Sequence, residues 1–324
     1  MQIVSAEAPG GPEVLTLREA PTPAPGPGQA LVRVAAAGVN FIDVYQRKGQ
    51  YAVPTPLRLG LEGAGRVEAL GPGVSGLAPG DRVAWASVGG SYATHVVAPV
   101  EQLVPVPAGV DDESAAALML QGMTAHYLCR STYPLREGER CLVYAAAGGV
   151  GLLLCQMAKR LGARAVGVVS TPEKAELARE AGAAEVVVWG GGVDLAAEAR
   201  ALAGGRGFDV VYDSVGRDSF DLSLRCLRPR GMLVLYGQSS GPVAPFDPQR
   251  LAQAGSLVLT RPKLGDYTAD RAELLGRAGE LFDDAAAGRL RVRVGGRFPL
   301  ARAADAHRAL ESRATTGKLL LVPG

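Results

Sequence analysis

Apolar positions in the first third of the chain fall in short, alternating runs: Ala30–Ala35, Gly65–Ala69, Arg82–Ala86 and Ala93–Ala98. Gly/Pro turns such as Pro25-Gly26-Pro27-Gly28 and Gly71-Pro72-Gly73 separate them. Strands at this spacing predict a small barrel or sandwich. The middle third has a different rhythm. Cys141–Ala145, Ala165–Val169, Glu185–Val188, Phe208–Asp213 and Met232–Gly237 read as buried strands, and Ser256–Leu259 as a strand that closes the sheet. Between them, Gly151–Leu161, Pro172–Ala181, Asp194–Ala203 and Phe220–Leu227 read as helices. This alternation predicts an α/β unit, a doubly wound parallel sheet. From about Ala269 the pattern predicts a helix ending near Gly288, a strand at Arg291–Val294, a helix at Ala303–Arg313 and a strand at Lys318–Val322. That last part is expected to return and pack on the first domain.

A chain of 324 residues suits about two domains. With 48% hydrophobic and 20% charged residues it has the balance of a soluble globular protein. A net charge of +2 gives no basic field to attract nucleic acid, so no nucleic-acid partner is expected. The uncharged run between Arg140 and Lys159 approaches the length of a membrane span, but Gly148, Gly149 and Gly151 interrupt it. A strand, a tight turn and a helix account for it better. Met1–Ala8 carries neither a basic region nor an apolar core, so no signal peptide is read there. Cys129, Cys141, Cys155 and Cys226 form no close pair, which argues against a disulfide framework or a Cys-rich zinc site and for a reducing cytoplasm.

The main chemical signal is Ala146-Ala147-Gly148-Gly149-Val150-Gly151, between a predicted strand and a predicted helix. It is a variant of the G-x-G-x-x-G turn. Gly148 lets the backbone approach a pyrophosphate, Gly151 lets the helix pack close to the strand, and the helix N-terminus offers N–H groups to the anion. Sites for NAD usually place an acid at the end of the second strand. Here that strand ends at Ser170-Thr171, with Lys174 close behind. A hydroxyl and an ammonium suit a 2′-phosphate and so NADPH. The plain alternative is that Lys174 is an ordinary surface lysine. Asn40 is the sole asparagine of the chain, and lysine occurs only at positions 48, 159, 174, 263 and 318.

The run from Gly138-Glu139 through Leu142 and Ala146–Gly151 to Gln156 and Lys159 resembles the signature of the quinone oxidoreductase (zeta-crystallin-like) family of the medium-chain dehydrogenase/reductases. Gly38–Tyr45, Gly60–Gly65, Leu259–Pro262 and Glu311–Thr315 resemble it too. The resemblance implies a GroES-like β-rich catalytic domain at 1–118 and 262–324 around a Rossmann domain at 119–261. It also implies a homodimer or tetramer. Zinc-dependent relatives carry Cys at the position of Asn40 and His at that of Leu61, before Glu62. Neither residue here supplies such a ligand, and no catalytic or structural metal is expected.

By the same resemblance, Asn40, Tyr45, Tyr51 and Arg261 serve the reaction beside the nicotinamide. Cofactor contacts fall to Asn40, Thr124, Ala147, Gly148, Gly149, Val150, Gly151, Ser170, Lys174, Trp189, Ser214, Val215, Gly216, Gly237, Gln238 and Arg313. Plainer readings stand beside these. Asn40 suits a turn before a helix start, Tyr45 and Tyr51 suit packing, Arg261 suits the surface, and Trp189 suits a cap on its strand. The implied activity is transfer of reducing equivalents from NADPH to a quinone. The alternatives are reduction of an activated C=C bond in an enone or enoyl thioester, and a non-enzymic crystallin or RNA-binding role.

Overall fold

The computed structural model describes residues 1–190 and 192–324. They pack as two compact units, Met1–Met123 with Thr268–Gly324, and Thr124–Tyr267. Both boundaries lie a few residues beyond those expected from the sequence.

The chain begins with β1 (Gln2–Ala6), β2 (Thr16–Glu19), β3 (Gln29–Val39), α1 (Phe41–Arg47), β4 (Leu57–Arg58), β5 (Glu62–Leu70), β6 (Arg82–Trp85), β7 (His95–Pro99), β8 (Val104–Pro105) and α2 (Asp112–Tyr127). The second unit then runs β9 (Arg140–Tyr144), α3 (Gly149–Arg160), β10 (Arg164–Val169), α4 (Pro172–Glu180), β11 (Glu185–Val188), α5 (Leu195–Leu202), β12 (Phe208–Asp213), α6 (Phe220–Cys226), β13 (Leu227–Leu235), α7 (Gln249–Gln253) and β14 (Val258–Thr260). The chain returns to the first unit with α8 (Arg271–Ala286), β15 (Val294–Pro299), α9 (Ala303–Glu311) and β16 (Lys318–Val322).

In the first unit, β3 is the hub. It pairs antiparallel with β5, β7 and β16, in a sheet of order β15-β16-β3-β5-β6-β8. The alternation of the sequence puts Val32, Val34, Val67, Val83, Trp85, Leu319 and Leu321 into one core. Each large apolar side chain buried there contributes about 1.5–3 kcal/mol. One strand expectation is corrected. Arg291–Val294 is not a strand; β15 starts at Val294 and runs to Pro299. Its residues alternate between half-buried and exposed at the sheet edge, and Gly295 lies so close to Thr316 that a Cβ there would meet its carbonyl oxygen.

The second unit is a parallel sheet of order β11-β10-β9-β12-β13-β14. In order of appearance that is 3-2-1-4-5-6, the doubly wound arrangement with its switch between β9 and β12. Its strands read as nearly unbroken apolar runs because both faces are covered by helices. Leu142, Val166, Val187, Val211 and Leu233 form the core on one face with Leu195, Ala199, Phe220 and Leu224. Among the described residues no helix is long and apolar enough to cross a membrane.

Candidate functional site

In a parallel sheet all strands end on the same edge, and ligands of open α/β sheets bind there. Most of the cofactor residues expected from the sequence lie on that edge. Ala147–Gly151 follows β9, Ser170 and Lys174 follow β10, and Trp189 follows β11. Ser214–Gly216 follows β12, Gly237 and Gln238 follow β13, and Arg261 follows β14. Thr124 is different. It is buried within α2, a helix that the sequence reading did not outline.

The turn after β9 is held by sterics. Ala145 takes φ +48°, in the left-handed region that few residues other than glycine adopt. A Cβ on Gly151 would stand 2.3 Å from Ala145 O and 2.7 Å from Ala146 Cα. Only glycine lets α3 start this close to β9. The N-cap is Gly148, which has no side chain to accept the first N–H groups of α3. Those groups and the helix dipole suit an oxyanion, so this end fits a diphosphate.

The neighbouring loops are braced by a residue that the sequence reading passed over. Asp213, fully buried at the end of β12, accepts from the backbone N–H of Val215 (2.8 Å) and Gly216 (3.1 Å). It also accepts from the hydroxyls of Ser219 and Ser223, each at 2.7 Å. Burial raises its pKa despite these bonds. Gly237 packs against Ser214 with no room for a Cβ, which would lie 2.6 Å from Ser214 O. A strand-end Asp followed within ten residues by three serines, Ser214, Ser219 and Ser223, was the available signal.

At the end of β10, Lys174 Nζ donates to Ser170 Oγ at 3.3 Å, and Thr171 caps α4 by accepting from Lys174 N. Partial burial lowers the pKa of Lys174. Trp189 sets its ring edge-on to Tyr144, 6.0 Å between centroids, and packs against the core as a strand cap would. Arg261 Nη1 donates to Leu235 O at 3.1 Å, which keeps its guanidinium at the sheet edge.

In the first unit, Asn40 caps α1 and is buried. Its backbone N–H is accepted by Asp43 Oδ2 at 2.8 Å. Its side chain lies between two charged groups from other strands. Lys318 Nζ donates to Asn40 Oδ1 at 2.7 Å, and Asn40 Nδ2 donates to Glu62 Oε2 at 2.9 Å. Lys318 also donates to Glu62. The other Glu62 oxygen accepts the backbone N–H of Leu120 at 2.5 Å. Tyr45 is buried on α1, its ring between Phe41 (6.1 Å) and the half-exposed Tyr51 (5.4 Å). Arg313 is exposed in the turn after α9, at φ +58°.

Behind Asn40 lies a second buried polar group. Tyr92 OH donates to Asp43 Oδ2 at 2.8 Å and also meets His307 Nε2 at 3.2 Å. Arg47 Nη1 lies 3.2 Å from His307 Nδ1, and Arg47 Nη2 pairs with Glu311 at 2.9 Å. Burial raises Asp43 to a pKa of about 7 and lowers His307, which also faces Arg47, to about 3. These residues are far apart in sequence, and only the fold brings them together.

A Rossmann sheet with a glycine-capped phosphate turn, joined to a β-rich unit built from both chain ends, defines a nucleotide-dependent dehydrogenase/reductase of the medium-chain type. Two family models match the chain, one described as an alcohol dehydrogenase GroES-like domain over residues 26–108 and one as a zinc-binding dehydrogenase over residues 149–274. The chain is 48% identical to a quinone oxidoreductase from Pseudomonas aeruginosa, over 97% of each sequence. It is 42% identical to a 2-haloacrylate reductase from a Burkholderia species, over 97% of this chain and 96% of that one. The crystal structure of Escherichia coli quinone oxidoreductase complexed with NADPH superposes with a TM-score of 0.97 at 42% identity, covering all of both chains. The chain belongs to the quinone oxidoreductase family of the medium-chain dehydrogenase/reductases.

Among the described residues no three His, Cys, Asp or Glu side chains are grouped to hold a metal ion. The carboxylate that the Asn40 side chain meets, that of Glu62, is paired with the Lys318 ammonium.

Proposed function

We propose that the chain is an NADPH-dependent oxidoreductase that reduces quinones without a catalytic metal. NADPH is its cofactor. The observation that carries the reading is the end of β10, where Lys174 and Ser170 converge and no carboxylate ends the strand. A 2′-phosphate there would gain charge-assisted bonds, and a ribose hydroxyl would lack its usual acidic partner. Gly149, Val150 and Gly151 would hold the diphosphate at the start of α3. Ser214–Gly216, Gly237 and Gln238 line the same edge, in the shape that Asp213 sets.

The bound dihydronicotinamide supplies a hydride, and the acceptor takes up that hydride together with one proton. What the protein adds is orientation and polarisation of the acceptor oxygen. Asn40 is proposed for the second task, and Tyr45 and Tyr51 for shaping the ring's surroundings. The pairing of Glu62 with Lys318 supports the metal-free reading, since the carboxylate on the Asn40 side chain is already balanced by an ammonium. The family also favours a homo-oligomer, and β14 ends the parallel sheet with Val258 exposed.

A second reading has its own support. The 42% identical relative is a 2-haloacrylate reductase, so an activated C=C bond is the alternative hydride acceptor. Steady-state oxidation of NADPH against a panel of quinones, enones and 2-haloacrylates tests both. Highest kcat/KM on a quinone is expected. Highest kcat/KM on an activated alkene would replace the first reading by the second. Metal analysis of protein purified without chelator should give well under one zinc per chain at full activity.

A further inference from the structure

We propose that Lys318 and Glu62 are positioning residues that lock the side chain of Asn40, so that it presents an N–H donor to an oxygen of the hydride acceptor. The inference rests on the reading of Asn40 as a neighbour of the reacting ring, and deepens it.

The orientation of a side-chain amide is usually ambiguous, because its oxygen and nitrogen look alike. Here two partners of opposite sign decide it. An ammonium only donates, so the Asn40 atom 2.7 Å from Lys318 Nζ is oxygen. An ionised carboxylate only accepts, so the atom 2.9 Å from Glu62 Oε2 is nitrogen. One hydrogen of Nδ2 is thereby committed to Glu62. Among the described residues the other has only Gly38 O, at a long 3.4 Å. The weakly held group of Asn40 is therefore an N–H. The cation on the amide oxygen draws charge from nitrogen to oxygen, which strengthens the remaining N–H as a donor. The ligand atom it selects is an acceptor, as a quinone carbonyl oxygen is.

The fold maintains this clamp from three strands. Gly38 on β3 is in register with Glu62 on β5 and with Leu320 on β16, which brings residues 40, 62 and 318 together. Glu62 and Lys318 are fully buried. Gly38 makes room for them, because a Cβ there would lie 2.0 Å from Glu62 Oε2 and 2.7 Å from Lys318 Cε. The Leu120 N–H fixes the far carboxylate oxygen from α2. A buried ion pair is a poor device for stability alone, since desolvation offsets most of the attraction. Holding one amide in one orientation is a use that its geometry serves.

The test uses the full-length protein and the combined substitution E62Q/K318M, which removes both charges of the pair together. Asn40 is the sole asparagine, so protein labelled with 15N-asparagine gives one pair of side-chain amide protons. The wild-type pair should be well separated and unaveraged, and in E62Q/K318M its separation should at least halve. An unchanged pair overturns the clamp, whatever the enzyme does. In quinone-dependent NADPH oxidation, kcat should fall about tenfold or more in E62Q/K318M with the NADPH KM nearly unchanged, and E62Q/K318M should add no further loss in an N40A background. An equal loss in both backgrounds overturns the assignment to Asn40. If the wild-type protein turns over no acceptor, the oxidoreductase reading falls instead, and the amide spectrum still decides the clamp.

Discussion

Arg47 and His307 meet at 3.2 Å inside the first unit, and that contact fixes the tautomer of the imidazole. A guanidinium only donates, so Nδ1 of His307 accepts and the ring proton sits on Nε2. That proton points to the oxygen of Tyr92, whose own hydrogen goes to Asp43 Oδ2. The direction of the whole chain of bonds follows from one residue that cannot accept.

This arrangement predicts a pH dependence of stability. His307 falls from 6.5 to about 3 in the folded protein, so its contribution is complete above pH 6.5 and is lost as pH falls toward 3. Asp43 rises from 3.8 to about 7, so its contribution is complete below pH 3.8 and is lost as pH rises through 7. Between pH 4.5 and 6.5 the two slopes oppose. His307→Gln keeps an acceptor for Arg47 and an N–H for Tyr92, but does not titrate. Urea unfolding of this variant should show stability falling over those two units by up to about 2.7 kcal/mol. A pH slope identical to that of the wild type would contradict the pairing.

Gly151→Ala should cost roughly 1–3 kcal/mol of stability, because the added Cβ meets backbone atoms that cannot rotate away. Displacing α3 from β9 should also weaken NADPH binding. Chemical denaturation and the fluorescence of bound NADPH measure the two effects separately.

Lys174→Ala should lower kcat/KM for NADPH by about 10–100-fold, the value of one charge-assisted hydrogen bond. The value for NADH should hardly change, since that cofactor carries no 2′-phosphate. Parallel assays with the two cofactors give the ratio directly.

Asp213→Asn should destabilise the protein by roughly 1–3 kcal/mol, because an amide cannot accept from two backbone N–H groups and two hydroxyls at once. The Ser214–Gly216 loop should loosen with it. The NADPH KM is expected to rise several-fold while the α3 turn stays intact, which steady-state kinetics and a thermal melt together report.

The second unit was legible in the sequence because its strands are buried on both faces and read as apolar runs, with glycine at most of the turns. The phosphate turn was legible for the same steric reason, since Gly151 is forced by Ala145 and Ala146. The first unit gave less away. β15 runs Val-Gly-Gly-Arg-Phe-Pro at a half-exposed edge, with no strong alternation of residue type to mark it. The network around Asn40 was invisible, because Glu62 and Lys318 become its neighbours only through strand register, and Tyr92 and His307 only through the packing of a loop and of α9. Asn40 could be singled out, as the sole asparagine, but not the two charges that hold it.

The most direct test is a crystal structure of the protein soaked with NADPH. The diphosphate should rest on the backbone N–H groups of Gly149, Val150 and Gly151, with the 2′-phosphate within hydrogen-bond reach of Lys174 and Ser170. Density for the cofactor elsewhere, or none at that turn in crystals that diffract well at saturating NADPH, would contradict the account.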